Sequence, residues 1–418
     1  MTALRALAPE ARWALLTRGV QGLGALVAVA CVVRLYGVEL QGLFFSFLSL
    51  AALIQLGDFG VGYASLQMAG HLRARGQAQA AAQLRRQARA RGLAWLVGSG
   101  LLIGAAVALV LPVPNAQSWL GAWAALALAA LALQWVQVEL FWLEGARSVG
   151  LAWRLRCAQE VLGACAIIGA LLAGAGLWSL PAYFGTRALV PLPWLRGVPP
   201  TPSVDTGFNW RRDLWPFQWR IGLSALAGFL VFQAMNPLVL AAQGAAAAGR
   251  LGIGLAVMNM LLLLCTAWPL SQAARFAGLL AQRQAGRVSE RLNRTLWPSL
   301  SLAGLMALGA WGAVAALLHI FAGLAERLPD LLTLALLLLA GLAHQATACL
   351  AVVLRAERLE PLLRLSVFGG VASLVLVAAV AQVAGLPAVA ATHLVCTLAG
   401  LCIAHRHYRR LLQRLSLP

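Results

Sequence analysis

Twelve apolar stretches, each about as long as a bilayer is thick, leave this chain one class of fold. A hydrocarbon core about 30 Å thick is crossed by roughly 20 helical residues. Runs of that length lie at 13–36, 40–68, 92–112, 118–143, 156–175, 178–195, 214–240, 246–271, 296–321, 329–354, 362–383 and 386–405. Of the 418 residues, 61% are hydrophobic and 11% charged, against about 25% charged in soluble domains. The expected class is all-α, a polytopic membrane protein with about twelve transmembrane helices. No basic start, short apolar segment and small-residue cleavage site occur together at the N-terminus, so no leader is expected to be removed. Pro112, Pro114, Pro181, Pro191, Pro237 and Pro387 mark span ends or breaks within spans.

The formal charge of +19 comes from 32 basic residues, every one an arginine. They gather in alternate links. Arg73, Arg75, Arg85, Arg86, Arg89 and Arg91 fill one, Arg147, Arg154 and Arg156 another, and Arg275, Arg283, Arg287, Arg291 and Arg294 a third. Arg196, Arg211 and Arg212 lie on the same side, as do Arg355, Arg358 and Arg364, and both termini are basic, whereas the opposite side offers only Arg34, Arg250 and Arg327. Positively charged links stay in the cytoplasm, so both termini are expected there. A soluble basic domain that would suit nucleic acid is missing. The segment 71–91 reads as a basic helix lying at the anionic leaflet, an anchor for orientation.

Span 2 opens on Gly37-Val-Glu-Leu-Gln-Gly42 and span 8 on Gly244-Ala-Ala-Ala-Ala-Gly249. Both precede a long apolar run that ends in an arginine-rich link. This implies an internal repeat: an N-terminal lobe at 1–197 and a C-terminal lobe at 214–418, joined by a cytoplasmic link over 198–213. The two six-helix lobes are expected to be parallel repeats enclosing a central cavity.

Ionisable groups inside spans are costly and usually face inward. Arg187 lies mid-span in LPAYFGTRALVPLPWL with no acidic partner in its own helix; its guanidinium stays charged, and an anion contact is its expected role. Arg34 either snorkels and pairs with Glu39 or serves the substrate. Glu139, Glu144 and Glu160 are expected to pair with Arg154, Arg156 or Arg220. His344 and His393 read as hydrogen-bonding partners between helices or as proton carriers.

No GxSxG, HExxH or Walker pattern is present, and the glycine clusters follow no strand. No catalytic residue, cofactor or metal is expected. The seven cysteines lack CxxC pairing and read as buried small hydrophobes. Without a nucleotide-binding loop, transport would run on an ion gradient or the substrate's own gradient.

Residues 213–249 read DLWPFQWRIGLSALAGFLVFQAMNPLVLAAQGAAAAG. The stretch Trp215 to Arg220, then Phe232-Gln233, Asn236-Pro237 and Gln243-Gly244 with Ala248-Gly249, resembles the seventh span of Wzx-type polysaccharide flippases. Those belong to the MOP (multidrug, oligosaccharidyl-lipid, polysaccharide) exporter superfamily. Asp58 and Gly60 resemble that family's second span. The resemblance implies a bacterial inner-membrane flippase that carries an undecaprenyl-diphosphate-linked oligosaccharide from the cytoplasmic to the periplasmic leaflet. Membrane lipids and polysaccharide assembly proteins would be its partners, with no nucleic acid, and a monomer would suffice. Relatives carry cationic residues in the cavity; here these must be arginines. The candidate diphosphate and glycan contacts are Arg187, Arg220, Arg34, Arg250 and Asn236. Asp58 and His344 are candidates for ion coupling or gating, Asp58 alternatively being a structural partner of a neighbouring helix. The rival readings are a MOP-type drug/cation antiporter and a membrane glycosyltransferase or polymerase.

Overall fold

The computed structural model describes residues 9–110, 116–146, 148–197, 208–356 and 363–416. Among them every regular element is helical. The first half holds α1 (Pro9–Leu35), α2 (Val38–Gln55), α3 (Val61–Ala74), α4 (Ala78–Val110), α5 (Ala116–Ala146), α6 (Val149–Leu172), α7 (Ser179–Leu189) and α8 (Leu192–Arg196). After α9 (Trp210–Asp213) come α10 (Trp215–Phe232), α11 (Met235–Gln243), α12 (Ala245–Cys265), α13 (Ala267–Ser271), α14 (Ala273–Ala281), α15 (Ala285–Ile320), α16 (Leu331–Ala356), α17 (Leu363–Val383) and α18 (Leu386–Ser416). Each expected span coincides with one helix or a broken pair. By length and composition nine of the described helices can cross a membrane, or ten with the bent pair α10–α11. The chain is an all-α, multi-pass membrane protein. Arg147, Arg358, Pro112, Pro114 and most of the 198–213 link fall outside the described residues.

The chain forms two compact units. One takes in the residues up to Leu40 and Phe47–Leu226; the other takes in Gln41–Ser46 and the residues from Ala227 onward. Span 7 therefore begins in one unit and ends in the other, whereas span 2 belongs to the first unit except for Gln41–Ser46. In the second unit a Cβ on Gly42 would lie 1.9 Å from the Ala245 carbonyl oxygen, so only glycine permits that approach. Ser46 is held there by Asn236, and Gln41 donates to the Arg327 carbonyl.

Prolines explain where helices restart. Pro237 sits in the first turn of α11, where a missing N–H costs nothing, but its ring displaces the carbonyl four residues back, at Gln233. There α10 and α11 bend by 42°. Pro269 does the same to Cys265 at the end of α12. The freed Cys265 carbonyl accepts from Gln345 Nε2 (2.9 Å) and Ser299 Oγ (3.1 Å). A backbone acceptor stranded in the span is thus satisfied by side chains of two other helices.

Span 2 breaks without proline. Leu56–Asp58 tightens to a 3-10 turn, and Phe59 and Gly60 then take left-handed backbone (φ 48° and 82°). Asp58 is buried, and its carboxylate accepts from the N–H of Gly60 (3.1 Å) and Gly62 (2.8 Å). Those are donors at the start of α3 that have no intrahelical acceptor. Gln134 completes its partners. Gly57 makes room for Ser99, and Gly62 for Phe141. The carboxylate among glycines is a helix cap at a bend.

The repeat read from Gly37 and Gly244 extends into backbone detail. The offset that carries Gly37 onto Gly244 also carries Asp58 onto Cys265, so both spans break at matching positions. It carries Gly76-Gln77-Ala78 onto Arg283-Gln284-Ala285, where Gly76 (φ 71°) and Arg283 (φ 54°) are both left-handed. Three backbone hydrogen bonds recur there in the same register: Gly76, Gln77 and Ala78 N–H donate to Arg73, Leu72 and Gly76, as Arg283, Gln284 and Ala285 donate to Leu280, Leu279 and Arg283.

Several expectations are corrected. Helices α4, α15 and α18 run well past the apolar spans at their arginine-rich ends, because Ala81, Leu84 and Ala88, Val288 and Leu292, and Tyr408 and Leu411 supply a buried stripe. The 71–91 segment is therefore no simple surface helix. Arg85 is buried, and with Arg89 it pairs Glu139 at 2.8 and 2.9 Å, taking the place expected for Arg154, Arg156 or Arg220. Cys165 and Cys402 are exposed, unlike the buried Cys157, Cys265 and Cys349.

Replacing Asp58 by Ala should destabilise the detergent-solubilised protein by about 1 kcal/mol, the usual loss for a cap. Asp58→Asn keeps one acceptor oxygen but turns an NH2 toward the other glycine N–H, so it should also lower the thermal unfolding midpoint rather than restore wild-type stability. Gly60→Ala should cost more than Asp58→Asn, since the new Cβ would lie 2.9 Å from the Gln218 carbonyl oxygen at a positive φ.

Candidate functional site

Three helices of the first unit carry polar residues at helical spacing on otherwise apolar surfaces. Thr17, Arg18 and Gln21 stand on α1. Gln134, Gln137, Phe141 and Glu144 stand on α5, and Trp153, Arg156, Gln159 and Glu160 on α6. Steps of three and four residues keep each set on one face. The faces converge on a cavity of about 450 Å³, closed further by Gln55, Tyr63, Leu66, Leu133 and Arg187.

Its charges are matched in pairs. Arg187 on α7 reaches Glu160, and Arg156 reaches Glu144. Tyr183 Oη donates to Glu160 (3.4 Å), and Arg187 lies 4.8 Å from the Tyr183 ring centroid. Arg156 sits over Phe141 at 4.9 Å and Trp153 at 5.1 Å. The Gln159 amide donates to the Arg187 carbonyl (2.6 Å) and accepts from Gln137 (3.3 Å). In low dielectric a broken pair leaves an uncompensated charge, so these pairs hold α5, α6 and α7 in register.

The pairing is incomplete in one respect. Arg156 Nη2 and Arg187 Nε are buried with no hydrogen-bond partner. Buried donors are nearly always satisfied, so these two are unmet donors within the cavity walls. With Arg18 the cavity has three guanidinium groups against two carboxylates, both already engaged, and five glutamines. It can accept anionic oxygens and hydroxyl groups, and it presents Tyr63, Phe141 and Trp153 as flat apolar faces.

The sequence candidates scatter across both units. Arg187 lines the cavity, and Asp58 lies behind it, joined through Gln134. Arg34 stands exposed in the last turn of α1. Arg220 is exposed beside Trp219, 5.6 Å from its ring. The rest belong to the second unit. Arg250 is part-buried on α12 with an unpartnered Nε. Asn236 is 1% exposed; in the orientation that satisfies both ends of its amide it donates to the Ala248 carbonyl (2.8 Å) and accepts from Ser46 N (3.0 Å). His344 packs on Phe232 and His393. Arg18 and the glutamines were not singled out as site residues, although the three-and-four spacing of Gln134, Gln137 and Glu144 and of Arg156, Gln159 and Glu160 is visible in the sequence. Arg187 does have an acidic partner, on the neighbouring helix.

A Cβ on Gly163 would lie 2.7 Å from Arg187 Cγ and 3.1 Å from the Tyr183 ring. Gly163→Val should therefore push Arg187 off Glu160 and lower thermal stability. Glu160→Gln alone should destabilise more than Glu160→Gln combined with Arg187→Gln, because the single change strands a guanidinium; thermal unfolding of the three variants checks the order.

No protein-family model matches the sequence, and no curated protein matches it. Solved structures do. The Vibrio cholerae MATE transporter VcmN in its bent form shares 16% identity with a TM-score of 0.61 over 99% of each chain. An inward-facing multidrug resistance MATE transporter of the MOP superfamily shares 15% identity with a TM-score of 0.58 over 96% of this chain and 94% of its own. A MOP superfamily transporter from Pyrococcus furiosus shares 15% identity with a TM-score of 0.52 over 99% and 98%. The chain thus has the fold of MOP-superfamily transporters.

Proposed function

We propose that the protein is a transporter that moves an undecaprenyl-diphosphate-linked oligosaccharide across the bacterial inner membrane by alternating access, from the cytoplasmic to the periplasmic leaflet. The observation that carries this reading is the composition of the first unit's cavity. Guanidinium forks recognise phosphate oxygens in two-pronged contacts. A carboxamide both donates and accepts, as a sugar hydroxyl does, and five of them line the walls. A cavity of about 450 Å³ lies in the range of small-molecule sites. Arg187, Arg156 and Arg18 are the anion contacts in this reading, and Gln21, Gln55, Gln134, Gln137 and Gln159 the glycan contacts. Arg34, Arg220, Arg250 and Asn236 remain candidates for other stages of the cycle, with Asp58 and His344 for coupling.

The second reading is a drug/cation antiporter, favoured by the multidrug resistance MATE transporter among the structural neighbours. It asks the cavity to hold a lipophilic cation. Here both carboxylates are already paired and a guanidinium is in surplus, so a cation meets like charge. The Pyrococcus furiosus neighbour is itself described by a binding pocket of reversed polarity that suggests a different function, so pocket polarity is a fair discriminator within this fold.

In a strain whose surface glycan depends on this protein, Arg187→Ala should lower the glycan about tenfold or more per molecule of folded protein, the scale of one lost charge-assisted contact; glycan is normalised to the folded protein level because the same change strands Glu160. Arg187→Lys should restore part of it, since lysine keeps the charge and loses the fork. Undiminished glycan in the alanine variant, or protein-dependent resistance to lipophilic cations, would overturn the reading.

A further inference from the structure

In the second unit two imidazoles meet inside the helix contact between α16 and α18. The His344 and His393 ring centroids are 5.4 Å apart, and the Phe232 ring lies tilted against His344 at 4.2 Å. His393 is 0% exposed, and neither of its ring nitrogens has a hydrogen-bond partner; His344 Nε2 is likewise buried and unpartnered. A neutral imidazole carries one donor and one acceptor, and leaving them unmet when buried costs stability. Leucine or phenylalanine would fill these positions without that cost. What imidazole adds is titration near neutrality.

We propose that His344 and His393 form a proton-binding site that takes up one proton shared between the two rings. A separation of 5.4 Å between centroids is close to what an N–H···N bond of about 2.9 Å between five-membered rings requires. Ring rotation then suffices to bridge the two. The proton forms a new N–H on one ring, and that N–H donates to the lone pair of the other. A second proton would place two like charges in contact, so the pair takes one.

The charged side chains and other histidines on the packed helices are Arg250 on α12, Arg275 on α14, the group over 287–294 and His319 on α15, Arg355 on α16, Arg364 on α17, and the histidines and arginines over 405–414 on α18 itself. None of them hydrogen-bonds or ion-pairs with either ring among the described residues. A cation appearing there has no counter-ion in this packing, so proton uptake favours a rearranged α16–α18 contact and links protonation to conformation. The site is independent of which solute the first unit binds.

The test is solid-state NMR of the full-length, ¹⁵N-histidine-labelled protein in lipid nanodiscs between about pH 5 and about pH 8. Two of the six histidines should titrate together, uptake should be one proton per molecule, and a nitrogen–nitrogen coupling should join the rings. His393→Gln should abolish the coupling and move the His344 midpoint by about one pH unit, as expected for interacting sites. Rings that stay uncoupled at every pH in the wild-type protein would overturn the proposal, whether or not the variant folds. So would a His344 titration indifferent to His393→Gln.

Discussion

A polar group in a bilayer core must find its partner within the protein, because lipid offers none. The architecture of this chain follows from that constraint. Glu139 draws Arg85 and Arg89 inward, Glu144 holds Arg156, and Glu160 holds Arg187 across three helices. The broken spans obey the same rule at the backbone. Two N–H groups at the start of α3 are met by Asp58, and the carbonyl freed before Pro269 is met by Ser299 and Gln345. The internal repeat places these breaks at matching positions, yet one is closed by a carboxylate and the other by an amide and a hydroxyl. Geometry has been kept while chemistry has diverged.

That divergence bears on how Asp58 is read. A carboxylate in a span invites assignment as a proton carrier. Its oxygens here accept from two backbone N–H groups and face Gln134, and the corresponding bend in the second unit manages without any acid. Capping accounts for its burial and for the glycines around it. The ungrouped chemistry of the second unit lies instead at His344 and His393.

Much of the fold was legible. Spans follow from apolar run length, and Pro237 and Pro387 stand where helices restart, whereas the restart at Pro269, inside the 246–271 span, was not expected. The extra turns of α4, α15 and α18 were not visible, because arginines on their exposed faces mask an apolar stripe of period 3.6. Partner choice was the other blind spot. Glu160 and Arg187 lie 27 residues apart, on helices whose rotation no span count reveals. Asn236 drew attention through its motif, but its amide is taken up by Ser46 and Ala248. The glutamines failed to stand out because each alone is unremarkable in a span; only the convergence of α1, α5 and α6 makes them a wall.

Likeness of fold at about 15% identity leaves the solute open, so the cavity's chemistry decides between an anionic glycan headgroup and a lipophilic cation. Direct binding to the purified wild-type protein separates them. Native mass spectrometry should find a prenyl-diphosphate oligosaccharide retained and displaced by excess inorganic diphosphate, with no retention of a lipophilic cation such as tetraphenylphosphonium. Retention of the cation in place of the diphosphate lipid would contradict the account.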